Sequence, residues 1–139
     1  MTITGFDHYT IRCADLQAAW RFYADVLGLR VVERTGVNVP AAIVYLDQMM
    51  LIHLFQSGPE LEAIFARLQP PDPEAAQWRT GRVHHIAYQA RGLAEFRARL
   101  AQHGVAFTER TLRAASKHLV VLKDPDEVEI ELSFTLDEL

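Results

Sequence analysis

The sequence predicts an α+β fold: two tandem β-α-β-β-β units that together form a curved mixed β-sheet with the helices outside. Three observations predict it. A strand, helix and three-strand pattern spans residues 4–56 and returns over 82–135, with helices opening at Leu16 and Leu93, 77 residues apart, and closing at Gly28 and Gly104, 76 apart. The 139 residues, 50% hydrophobic and 23% charged, have the composition of one globular domain. Each unit alone is too small to cover its own sheet, so two units must join, within the chain or across a dimer.

Each element has a local reason. Phe6 to Cys13 alternates as a strand does, and Asp15 is a good N-cap for LQAAWRFYADVLG, where Leu16, Ala19, Trp20, Tyr23 and Leu27 fall at helical spacing before Gly28. Arg30 to Gly36, Pro40 to Leu46 and Met49 to Gln56 are β-branched or apolar runs with short polar breaks between them, as in consecutive antiparallel strands. Residues 57–81 carry four prolines around the amphipathic run LEAIFARL and form a connector, of a length that suits a functional flap as well as a plain link. Val83 to Tyr88, the helix Leu93 to His103, and the strands Val105 to Thr108, Lys117 to Lys123 and Val128 to Phe134 complete the second unit.

The same arithmetic excludes several classes. A net charge of -4 with no run of Lys or Arg lacks the basic footprint that nucleic acid or an anionic membrane requires. No apolar stretch reaches the ~18 residues of a membrane span, and MTITGFDHYT has no signal-peptide pattern. The single Cys13 suits a reducing compartment, so a cytoplasmic protein with a small-molecule partner is expected.

Splitting each strand into its two faces isolates the chemistry. Ile11 and Cys13, Ile52 and Leu54, Ile86 and Tyr88, and Val128, Ile130 and Leu132 make the apolar faces. His8, His53, His85 and Glu131 lie opposite, one on the first and one on the last strand of each unit. His8 and His85 are 77 residues apart and His53 and Glu131 are 78 apart, so the four form two repeat-related pairs. Three imidazoles and a carboxylate suit a borderline divalent ion: Zn, Ni, Co, Mn or Fe(II). Three neutral imidazoles and one carboxylate would leave the ion a formal charge of +1, favourable for an anionic intermediate. His53 has two further readings, as an unligated acid/base and as a hydrogen-bonding neighbour.

FDHYTIRCADLQAAWRFYADVLGLRVVER, RVHHIAY and DPDEVEIEL resemble the opening strand and helix and the later metal-bearing strands of the vicinal oxygen chelate superfamily, over nearly the whole chain. That superfamily includes glyoxalase I, methylmalonyl-CoA epimerase, extradiol dioxygenases, fosfomycin-resistance enzymes and metal-free bleomycin-binding proteins. The resemblance implies a glyoxalase-like fold, a homodimer, and metal ligation by His8, His85 and Glu131. Position 53 departs from it: glyoxalase I carries Glu there and the epimerase Gln, and the dioxygenase pattern needs no ligand. Glu127 also departs, standing where the family's turn has Gly; a positive φ there would strain it.

The resemblance points first to a glyoxalase I-like lyase or isomerase acting through a metal-stabilised enediolate, with Glu131 moving the proton and His53 as the second catalytic candidate. An Fe(II) dioxygenase and a metal-free binding or antibiotic-resistance protein are the alternatives; epimerisation ranks below them for want of two opposed proton-transfer groups. Among the other candidates, His84 points to the opposite strand face and is structural, and His103 sits at a helix C-terminus, where a cation is favourable. His118 lies near a position where relatives place a pocket residue. Arg12, Tyr45, Phe55 and Gln56 lie on or near inner strand faces, while Trp20, Phe22, Tyr23 and Cys13 belong to packing.

Overall fold

The computed structural model describes residues 8–68 and 86–139. The chain divides into two compact units, Met1–Pro71 and Asp72–Leu139. The first contains β1 (Tyr9–Cys13), α1 (Leu16–Arg21), β2 (Arg30–Glu33), β3 (Ala41–Leu46), β4 (Met49–Gln56) and α2 (Pro59–Leu68). The second contains β5 (Ile86–Gln89), α3 (Leu93–His103), β6 (Phe107–Leu112), β7 (Lys117–Lys123) and β8 (Glu129–Thr135). Each has a four-stranded mixed sheet, ordered β1-β4-β3-β2 and β5-β8-β7-β6. In both, the outer strand preceding the helix pairs parallel with the last strand, and the remaining pairs are antiparallel. The repeat read from the sequence is therefore a repeat of topology.

In the first unit α1 packs on β3 and β4. Leu16, Ala19, Phe22, Tyr23 and Val26 are buried, as are Ile11, Cys13, Ala42, Val44, Ile52 and Leu54. Asp15 caps α1 as expected, its carboxylate accepting from the backbone N–H groups of Gln17 and Ala18 at 2.9 and 3.0 Å. The helix does not stay α-helical to Gly28: Phe22–Val26 widens into a π turn, and Leu27 N–H donates to the Phe22 carbonyl at 3.1 Å. Gly28 follows at φ 71°, a conformation that costs a residue with a Cβ more.

In the second unit Leu93, Phe96 and Leu100 of α3 are buried, as are Val120, Leu122, Ile130, Leu132 and Phe134, with the Phe96 and Phe134 ring centroids 6.0 Å apart. Gly104 ends α3 at φ 63°, and its N–H and that of Val105 satisfy carbonyls of the last turn. β6 lies further along the chain than the pattern suggested, pairing Phe107–Leu112 with β7 rather than forming at Val105–Thr108. Its Thr-Glu-Arg-Thr sequence carries little apolar alternation, so pairing with β7 and not its own pattern sets its limits. The connector opens with α2, which buries Leu61. Residues 69–81 of the connector, and His84 and His85 beyond it, lie outside the described residues.

Candidate metal and ligand site

On the sheet of the first unit, register decides which side chains meet. Thr10 is opposite His53 and Arg12 opposite Phe55 across the parallel pair β1–β4, while His53 faces Ile43 across β3. Val32 is in turn opposite Ile43. Residues of one parity therefore share the face away from α1, and His8, just before β1, belongs to it. The His8 and His53 rings stack with centroids 3.9 Å apart and planes 27° apart. His53 is 8% exposed, and Phe55 meets it edge-on at 6.3 Å between centroids.

A β-bulge adds a residue that simple alternation hides. Register slips between Val44, opposite Ile52, and Tyr45, opposite Met50, so Leu51 is the extra residue of β4. The slip reverses the parity beyond it. Met50, three positions from His53, thereby reaches it, with Sδ 2.9 Å from His53 Nε2. On the other side of the ring, Arg34 Nη1 donates to His53 Nδ1 at 2.7 Å, and the guanidinium lies 5.2 Å from the Phe55 ring centroid. Arg30, four residues earlier on the same face of β2, lies over Tyr45 at 3.9 Å. Tyr45 and Phe55, expected on or near inner strand faces, thus serve as platforms for two arginines. Those arginines are the functional candidates that the sequence reading missed, although their i, i+4 spacing on an alternating strand was the available signal. Met50 had none, because the bulge is set by pairing.

Two other candidates have structural partners. Arg12 donates to both carboxylate oxygens of Glu62 on α2, at 3.0 and 3.2 Å. Gln56 accepts from the Leu16 backbone N–H at 2.9 Å and donates to the Ala14 carbonyl at 2.8 Å, so it holds the start of α1 rather than lining a pocket. Near that helix, a depression of about 310 Å³ is bounded by Leu16, Gln17, Trp20, Glu33, Pro40 and Ala41. It contains none of the four predicted ligands.

In the second unit Glu131 sits opposite Ala87 on β5 and Val121 on β7, half-buried, between the fully buried Ile130 and the buried Leu132. Alternation thus puts its carboxylate on the face away from the apolar one. His118 lies on the other face. It is opposite Phe134 and Thr111, 4% exposed, with Nδ1 2.9 Å from Thr111 Oγ1 and Nε2 3.1 Å from Glu109 Oε2. Glu109 also accepts two hydrogen bonds of 2.7 Å from Arg97 of α3. The Arg97 guanidinium, and then His118, holds the Glu109 carboxyl below the ordinary glutamate range, despite opposition from burial. His118 therefore ties β6 to β7 beneath α3, on the apolar face and not on the one that carries Glu131.

Among the described residues no three of His, Cys, Asp and Glu gather as a metal cluster. The structure brings His8 and His53 together; Glu131 belongs to the second unit and His85 lies outside the described residues. The donor types fit a borderline divalent ion, since His8 offers an imidazole and Glu131 a carboxylate, each on the side of its sheet away from the apolar face. His53 fits less well, because Arg34 and Met50 occupy its two nitrogens.

The two sheets of matching strand order are those of a glyoxalase-like α+β fold, and the comparisons agree. The chain belongs to the Glyoxalase/Bleomycin resistance protein/Dioxygenase superfamily, whose family model matches residues 5–132. No curated protein matches the sequence. Similar solved structures include virulence protein STM3117 from Salmonella typhimurium, at 20% identity and TM-score 0.66 over 97% of this chain and 99% of that one. The fosfomycin resistance protein FosX from Listeria monocytogenes matches at 19% identity and TM-score 0.67 over 99% and 98%. TnmS3, an antibiotic binding protein from Streptomyces sp. CB03234, matches at 19% and 0.67 over 97% and 98%. A FosX variant complexed with Mn(II) and 1S,2S-dihydroxypropylphosphonic acid matches at 19% and 0.68 over 99% and 97%. Among the described residues no helix is long and apolar enough to cross a membrane.

Proposed function

We propose that the protein is a divalent-metal-dependent enzyme of this superfamily, a glyoxalase I-like lyase or isomerase that moves a proton on a small oxygenated substrate. The observation that carries this reading is His8 on the face away from α1, fixed there by stacking on His53, with Glu131 on the side of its own sheet away from the apolar face. The Mn(II) bound to the FosX variant supports it, as a divalent ion held by a protein of the same fold. The residues that would hold the ion here are His8, His85 and Glu131, supplied by one chain or by the two chains of the homodimer that the family resemblance implies. Zn, Ni, Co, Mn and Fe(II) all suit that donor set. When bound, the ion would supply Lewis acidity toward adjacent oxygens of the substrate. Glu131 would accept the proton beside the substrate carbonyl and return it to the neighbouring carbon. His53, the fourth residue of the expected set and the second catalytic candidate, has both ring nitrogens engaged, so ligation is proposed for the other three.

The test is metal content per chain in untagged protein purified anaerobically without chelator. About one ion per chain, lost when His8 and His85 are both replaced by Ala, is the expected result. Iron together with oxygen uptake would move the assignment to a ring-cleaving dioxygenase. Failure to bind or restore any ion would sink the enzyme reading and leave metal-free binding of a small molecule, TnmS3 being named as an antibiotic binding protein. Glu131→Gln is expected to abolish proton transfer with an unchanged circular dichroism spectrum, and full turnover would remove Glu131 from the mechanism.

A further inference from the structure

We infer that Arg34 and His53 form an oxyanion-binding pair for a small ligand bearing a carboxylate or phosphoryl-type group, and that His53 for this reason stands outside the metal set. A guanidinium can only donate, so the 2.7 Å contact makes His53 Nδ1 the acceptor and puts the ring hydrogen on Nε2. In that tautomer neither nitrogen has a lone pair left for an ion. A metal-bound histidine has the opposite arrangement, donating its second N–H to a carboxylate or carbonyl. His53 Nδ1 fixes the guanidinium through one of its donors while Nε2–H lies against the Met50 sulfur, so His53 orients Arg34 and the remaining donors of Arg34 are the groups that meet the ligand.

The surroundings favour an anion. Arg34 is half-buried against Phe55, and among the described residues no carboxylate pairs with it or with Arg30. Carboxylates do pair with Arg12 and Arg97, through Glu62 and Glu109. A partly desolvated guanidinium without a counter-charge is costly, and an oxyanion from solution relieves that cost with charge-assisted, two-point hydrogen bonds. Arg30, held over Tyr45, adds a second positive charge on the same face. Between the two arginines, the half-buried Ile43 and Val32, 40% exposed, provide an apolar surface for the ligand's body. The ligand is thus a small molecule with one oxyanionic head and an apolar body. This gives the substrate class of the proposed function, and rests on that reading only for the place of the ion.

The experiment titrates the full-length protein calorimetrically with benzoate and with phenylphosphonate, using wild type, Arg34→Gln and His53→Phe, and counts metal in the same samples. Phe at position 53 keeps a ring against His8 and Phe55 and removes both nitrogens. Wild type is expected to bind at least one of the anions, and the stronger binder identifies a planar or a tetrahedral head group. Arg34→Gln should weaken that binding about tenfold or more. Both variants should retain the wild-type metal content, and long-range proton–nitrogen NMR should show His53 protonated on Nε2 alone. Undiminished anion binding in Arg34→Gln, no binding of either anion by wild type, or loss of metal in His53→Phe would each overturn the inference. Absence of metal from wild type would instead defeat the proposed function, while the anion titrations would still decide the role of Arg34.

Discussion

Glu127 turns the chain from β7 into β8 at φ 66°, where a side chain with a Cβ is strained. The departure from glycine at this position was visible in the sequence, and the backbone shows its cost. What secures the turn is Asp124, 3% exposed, whose carboxylate accepts from the Asp126 and Val128 N–H groups at 2.9 and 2.8 Å. The Glu127 side chain holds an exposed ion pair with Lys123, which solvent screens. Glu127→Gly is therefore expected to stabilise the protein by about 0.5–1 kcal/mol, measured by urea unfolding. A lower midpoint would show that the turn depends on the glutamate itself. Gln56 teaches the converse. It stands opposite Cys13, on the α1 side of its sheet and not on the inner face, and its partners Leu16 and Ala14 are some forty residues away in sequence, so no local pattern encodes them. The face of His118 was not legible for a related reason, since only the pairing of β6, β7 and β8 puts it under α3.

At the scale of elements, strong periodicity and local caps were readable and tertiary adjustments were not. Asp15 and Gly104 mark helix ends through their own chemistry, so α1 begins and α3 ends where the sequence places them. The bulge in β4 and the limits of β6 arise from partners, and the bulge is what brings Met50 to His53. The start of α3 shows the same thing. Gly92 there has no side-chain cap, and the Glu138 carboxylate, from the far end of the chain, accepts the backbone N–H groups of Gly92 and Leu93. Those bonds, Leu93 first, hold the Glu138 carboxyl below its ordinary value of 4.5, although desolvation opposes them. Glu109 is lowered in the same direction by Arg97. For a carboxylate whose pKa is depressed on folding, the stabilisation is complete above the unfolded value and is lost as pH falls through the folded one. Stability should therefore decline as pH drops below about 4.5, and Glu138→Gln should flatten that decline while weakening α3 at neutral pH. An identical pH profile in the variant, by thermal melts, would remove the cap from the account.

For the molecule as a whole, the most informative feature of the sequence was its repeat. The helix-to-helix offset anticipated two units of the same element order, which fold as two sheets of matching strand order, and alternation within strands put His53 and Glu131 on the face opposite buried Ile52, Leu54, Ile130 and Leu132. Periodicity reports which face a residue occupies but not what touches it there, so the arginine on His53 was beyond its reach. The distinction has a thermodynamic consequence. An ion that binds only the folded chain stabilises it by mass action, by about 2.7 kcal/mol at a free concentration one hundred times Kd. For a chain of this length that corresponds to a rise in Tm of roughly 5–10 °C over protein held in EDTA. If His8, His85 and Glu131 form the ligand set, His8→Ala should show no rise, whereas Arg34→Gln and His53→Phe should show the wild-type rise. Differential scanning calorimetry with and without the ion reads this directly, without any knowledge of the substrate. A rise that survives in His8→Ala but disappears in His53→Phe would move the ion to His53, and Arg34 would then have to leave the imidazole before metal could bind.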